Sequence, residues 1–161
     1  MKVFRTLDTY LTKLIEVFVV IAFIAMVILV AAQVFVRYLT TSSLTWSDEA
    51  SRYLMVYMIF FGMVVLVKER RHVAVPNLVD ALPPKVKKAV LFISYIIQLL
   101  FFIAMVYGYT LIQKTASLRT SAALFIPMNI VYICIPITGA LMAIYIIRDI
   151  AELIRGGNDN A

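Results

Sequence analysis

Four long apolar stretches dominate the chain, separated by short clusters of charge. Residues 17–36, 89–113 and 120–147 contain no charged side chain, in runs of 20, 25 and 28, and a fourth uncharged run, 53–67, has 15. An α-helix needs about 20 predominantly apolar residues to cross a hydrocarbon core ~30 Å thick. Lipid offers the backbone no hydrogen bonds, so such segments close their own as helices. The pattern predicts an all-α membrane protein with four transmembrane helices over about 15–37, 49–68, 88–112 and 126–148, forming a single integral membrane domain over residues 1–161.

The second span is short. At ~1.5 Å per residue its 15 residues cover about 22 Å, some 8 Å less than the core. Either the bilayer thins there, or the helix continues upstream through Arg52 and Glu49 and carries their charges to the membrane edge. Thr45 followed by Asp48 has the form of a helix start, with Asp48 and Glu49 against the positive end of the dipole. Glu49 and Arg52 are three apart and can meet on one helix face, and Trp46, Glu49 and Tyr53 share a stripe. Two readings stay open: an interfacial aromatic belt with solvated charges, or a polar stripe buried against another protein.

In the last span Pro127 reads as the helix start. Pro136 reads as a structural kink, because it cannot donate to the Tyr132 carbonyl. Gly62, Gly108 and Gly139 offer places for close helix packing.

The flanks are basic. Residues 1–13 are partly amphipathic, with Phe4, Leu7, Leu11 and Leu14 at helical spacing, and are expected to lie along the headgroups before turning into the first span. Glu16, just inside that turn, reads as a solvated or Lys13-paired carboxylate rather than a proton or cation site. Between the second and third spans, Val75, Leu78, Val79 and Leu82 follow Pro76 at helical spacing and are ended by Pro83-Pro84. They predict a short amphipathic helix at the membrane interface. Lys85, Lys87 and Lys88 come next and would face anionic lipid headgroups. His72, the one histidine, sits in the turn after the second span and reads as a structural hydrogen-bonder.

Composition agrees with this picture. Hydrophobic residues make up 63 % and charged ones 15 %, against roughly 45–50 % and 25 % in soluble domains. With both termini inside, 11 Lys and Arg lie on the cytoplasmic side and 4 on the other, so an N-in, C-in orientation is expected. The net charge of +6 belongs to this asymmetry. It forms no basic stripe with exposed aromatics, and no nucleic-acid partner is expected. The 20-residue apolar core of the first span exceeds the ~7–15 of a signal peptide, so this span is expected to be retained.

The inventory of chemical groups is sparse. One histidine does not supply the paired ligands of a haem-carrying anchor, and one cysteine, Cys134, does not make a disulfide-generating centre. The first, third and fourth spans lack the deep acidic residue that a proton-coupled exporter needs. Gln33, Gln98, Asn129 and Thr138 are few and scattered, and no internal repeat is visible. No cofactor, metal or catalytic residue is expected. A membrane scaffold or accessory subunit remains, with a free-standing four-helix carrier or channel acting as a homo-oligomer as the alternative, and an enzyme anchor as a third.

The order of certain motifs adds a resemblance. Residues 46–53, Trp-Ser-Asp-Glu-Ala-Ser-Arg-Tyr, lead into Tyr57 to Gly62; the basic turn with His72 and Val73-Ala74-Val75 follows, then Ile126-Pro127 and Ile135-Pro136-Ile137-Thr138-Gly139. Over roughly residues 15–147 this order resembles the small membrane subunit, of DctQ type, of tripartite ATP-independent periplasmic (TRAP) transporters. It departs from that pattern at Pro76, where relatives carry an acidic residue, and at Arg70-Arg71, where a glycine is common. The resemblance implies a sodium-coupled importer of organic acids, carboxylates such as sialic acid or C4-dicarboxylates, in the bacterial inner membrane. There a periplasmic substrate-binding protein hands substrate to a large, elevator-type membrane subunit. This chain would brace that subunit, with Trp46, Glu49, Arg52, Tyr53 and Gly62 at the partner interface. Segments 40–45 and 114–123 would help dock the binding protein.

Overall fold

In a computed structural model the described residues are 2–40, 44–69 and 82–155. They form α1 (Lys2–Thr40), α2 (Thr45–Lys68), α3 (Pro84–Ser117), α4 (Met128–Tyr132) and α5 (Cys134–Ile154). Four of the resulting units are long and apolar enough to cross a membrane: α1, α2, α3 and α4 joined to α5. The chain is therefore a multi-pass membrane protein. His72 and the amphipathic helix expected from Val75 lie outside the described residues. So does the side chain of Lys85, whose backbone is in the first turn of α3.

Two boundaries differ from the expectation. α1 is one uninterrupted helix of 39 residues, ~58 Å long, and shows no turn between the amphipathic flank and the span. The flank does not lie flat, because Asp8 and Thr12 are bonded to Lys68 of α2 and Asp8 also to Tyr145 of α5, which hold it in line with the span. α2 starts at Thr45, so of the two ways to lengthen the second span the upstream continuation is the one taken. Its 24 residues reach ~36 Å. The expected Thr45 cap is not made: Leu44 occupies the cap position, and its carbonyl accepts from the Ser47 and Asp48 N–H groups at 3.0 and 3.3 Å.

The last span is broken at Ile133, between α4 and α5. Pro136 sits three residues later in the first turn of α5, where a missing N–H costs little, while its ring crowds the Tyr132 carbonyl at the break. Thr138 donates its hydroxyl to the Cys134 carbonyl at 2.6 Å, and the Cys134 thiol donates to the Val131 carbonyl at 3.4 Å. Buried polar side chains thus bond to backbone around the interruption, as a helix in lipid requires.

The helices stand in an open row, in the order α1, α2, α5, α3, with α1 packed on α2, α2 on α5, and α5 on α3. α5 is the most buried helix and α1 the least. The core gathers Val64 and Val67 of α2, Leu91, Tyr95 and Phe102 of α3, and Met142, Tyr145, Ile146 and Leu153 of α5. Between α1 and α2, Phe18 meets Phe61 edge-on at 5.2 Å and Tyr57 at 6.5 Å, geometries that aromatic quadrupoles favour.

Of the three glycines marked for close packing, only Gly139 has that role among the described residues. A Cβ there would meet Val106 Cγ2 at 3.0 Å and Met105 Cε at 3.2 Å, whereas Gly62 and Gly108 have nothing within 4 Å. Gly139 is what lets α5 approach α3. Gly139→Leu is expected to cost about 1–3 kcal/mol by overpacking a stiff valine, read as a lower melting temperature of the purified chain in detergent. An unchanged melting temperature would show that α3 and α5 yield freely.

Candidate functional site

The polar residues that the sequence leads one to examine are spent joining helices, at three depths. The edge of the row carrying the start of α1 and the end of α5 is here the terminal edge, and the opposite one the loop edge.

At the loop edge, Glu49 in the second turn of α2 receives four hydrogen bonds. Its Oε1 accepts from the Tyr53 hydroxyl at 2.7 Å and the Ala122 N–H at 3.3 Å, and its Oε2 from the Ala123 and Leu124 N–H groups at 2.8 and 3.1 Å. Three successive backbone N–H groups form a concave nest that favours an anion, and the carboxylate fills it. The loop around it is a closed ring. Ser121 N–H donates to the Ile126 carbonyl and Met128 N–H to the Arg119 carbonyl, both at 2.9 Å, and Ser121 Oγ accepts from Leu124 N–H. Phe125 adopts φ 56°, a left-handed conformation that costs an aromatic residue about 1–3 kcal/mol and persists only where neighbours impose it.

The expected Glu49–Arg52 pair does not form. Arg52 reaches back one turn to Asp48, 2.9 Å away, and both remain exposed. The carboxylate of Glu49 is already turned the other way, toward the loop. Trp46 is about half exposed on the outer side of α2, while Tyr53 is half-buried with its hydroxyl also 3.6 Å from Met128 Sδ. The aromatic stripe thus splits, one residue facing outward and one locking the loop. Ser47 is buried and donates to the Leu29 carbonyl at 3.2 Å, which ties α2 to α1.

Nearer mid-membrane, the Tyr57 hydroxyl donates to the Ile130 carbonyl of α4 at 2.5 Å. At the terminal edge a larger cluster closes. Asp8 Oδ1 accepts from the Tyr145 hydroxyl at 2.6 Å, and Asp8 Oδ2 lies 3.2 Å from Lys68 Nζ and 3.7 Å from Arg148 Nη1. Lys68 also donates to the Asp8 carbonyl at 2.9 Å and to the Thr12 hydroxyl. Arg148 lies over the Tyr145 ring at 5.3 Å and pairs with Asp149 and Glu152. Three helices meet here through residues 60 to 140 positions apart. Sequence reading missed the cluster. The available signal was weak: Lys68 and Arg148 are ordinary charges at span ends, and Tyr145 one tyrosine among apolar neighbours. Among the described residues, no three His, Cys, Asp or Glu side chains gather as metal ligands.

Four antiparallel spans, opened into a row and pinned at both membrane edges, agree with the similarities of the sequence. Residues 26–156 match the family of tripartite ATP-independent periplasmic transporters, DctQ component. The chain belongs to the DctQ family. It is therefore a TRAP transport component rather than an enzyme. It is similar to two TRAP transporter small permease proteins of Haemophilus influenzae. One is 34 % identical over 65 % of this chain and 64 % of that protein, the other 29 % identical over 93 % of each. The match thus spans just under two thirds of the first relative's length. The isethionate TRAP transporter permease protein DctMQ of Oleidesulfovibrio alaskensis is 24 % identical over 86 % of this chain, which is 23 % of that longer protein.

Two outcomes follow from the locks. In Glu49→Ala the Ala122 and Ala123 amides lose the Glu49 carboxylate and should exchange hydrogen faster than in the parent, with Glu49→Gln intermediate; hydrogen exchange with mass spectrometry reads this. Asp8→Asn should cost about 0.5–2 kcal/mol, the usual range for interhelical polar contacts in lipid, seen as a lower melting temperature; Tyr145→Phe should lose less, because Lys68 and Arg148 keep their carboxylate.

Proposed function

We propose that this chain is the non-catalytic bracing subunit of a sodium-coupled TRAP importer of organic acids in a bacterial inner membrane. It holds the large membrane subunit and lends surface for docking of the periplasmic substrate-binding protein. The observation that carries the reading is the open row. Among the described residues α1 packs mainly on α2 and α3 on the span of α4 and α5, α1 reaching α5 through the Asp8 cluster, and many apolar side chains of α1 and α3 stay exposed. The interhelical polar groups serve helix-to-helix contacts. Such a body suits attachment to a larger one better than passage of a solute. The matching region of the isethionate permease makes up under a quarter of a longer protein, which fits a permanent association between this unit and a larger body.

The lysine and arginine asymmetry puts the terminal edge in the cytoplasm and the loop edge in the periplasm. In this orientation the ring closed by Glu49 faces the binding protein, with Leu118 just before it and Phe125 within it largely exposed. Glu49 and Tyr53 then act on docking through the shape of the loop, while Trp46 and Arg52 stand on the outer side of α2. Gly62, with open space above it, is the natural point for close approach by a helix of the large subunit. Substrate choice, among carboxylates or other organic acids, belongs to the companion proteins.

The test is reconstitution with the large subunit and binding protein. Flux should require both membrane subunits, and unaided flux through this chain would overturn the reading in favour of a homo-oligomeric carrier. Gly62→Leu should reduce co-purification with the large subunit and leave the melting temperature of the isolated chain unchanged. Normal co-purification would remove Gly62 from the interface. Glu49→Ala should lower uptake at matched expression.

A further inference from the structure

We propose that a cleft between α3 and α5 at the terminal edge holds an acyl chain of one anionic phospholipid, with its headgroup on Lys88. The cleft has a volume of about 360 Å³ and is lined by Lys88, Ala89, Phe92, Leu153 and Ile154. That lies within the ~300–1,000 Å³ of small-molecule sites. Its lining passes within one residue from a cation to hydrocarbon, because the uncharged run of the third span starts at Ala89. An occupant matched to both parts is amphiphilic, with an anionic head and an apolar tail.

Charge complementarity selects the head. Two other cations at this edge are already matched by the chain's own acids: Lys68 and Arg148 share Asp8, and Arg148 also takes Glu152, the carboxylate beside Leu153. Lys88 is exposed and makes no ion pair or hydrogen bond among the described residues. Lys87 in the same helix start, and Arg155 beside Ile154, raise the local positive potential. The tail's place follows from the lining: Ala89, Phe92, Leu153 and Ile154 make the cleft apolar beyond Lys88, and it is partly open. The sequence-based assignment of this basic cluster to headgroups is thereby sharpened to one lysine and one cleft, and the proposal does not depend on the transport reading.

The test uses the full chain, with any companion subunit that stays bound, in nanodiscs of equal parts phosphatidylglycerol and phosphatidylcholine. Retained lipid is counted by native mass spectrometry. The parent should keep one phosphatidylglycerol. Lys88→Gln should weaken the preference for it about five-fold, as expected for one lysine near an anionic headgroup. Ala89→Trp, which fills the cleft without changing charge, should abolish retention, and Ile154→Trp at the exposed rim should do the same if the first variant folds poorly. Lys13→Gln should change nothing, and excess inorganic phosphate should not displace the lipid. Equal retention in the parent, Lys88→Gln and the folded plug variants would overturn the proposal. So would displacement by phosphate, or a Cys at position 154 crosslinking to a companion subunit in place of lipid.

Discussion

Between helices already immersed in lipid there is no water to expel, so apolar contact alone holds them to one another little better than to acyl chains. Shape and polar bonds must then decide which helices sit together and at what height. α2 takes part in polar contacts at three depths: Glu49 to the loop before α4, Tyr57 to Ile130, and Lys68 to Asp8. Two of these reach the second helical hairpin directly, and at the terminal edge Asp8 completes the contact through Tyr145. Each involves a strong donor or acceptor that would be costly to leave unpaired in or near hydrocarbon.

The row stays open because these contacts, with the small-residue approach at Gly139, already satisfy each neighbour. Among the described residues no main helix contact joins α1 to α3. An open row buries few of its apolar side chains, and in lipid this carries no penalty. It leaves two broad flanks of fixed geometry, which is what a support needs. The polar groups of the spans are largely committed to maintaining that geometry.

The loop edge shows how one residue type can mislead when read along a helix alone. Spacing groups Glu49 with Arg52 and points both outward as anchors. The folded chain brings a nest of three N–H groups within reach of Glu49, from 73 to 75 positions away. Those donors are held in place by the loop, whereas Arg52 is exposed and has Asp48 one turn behind it. The carboxylate therefore goes to the backbone.

Four membrane-spanning helices and the upstream option for the second span were legible in the sequence. These follow from lengths and periodicity, which are local properties. The continuity of α1, the row order, the choice of Gly139 over Gly62 and Gly108, and the Asp8 cluster were not. Each depends on which surfaces meet, and uniformly apolar helices carry almost no pattern that records their neighbours. The sequence by itself determined that the chain crosses a membrane as helices, because hydrocarbon leaves the backbone no other solution. Only the tertiary structure decided which polar groups join those helices, because their partners lie tens to more than a hundred residues apart and are selected by geometry.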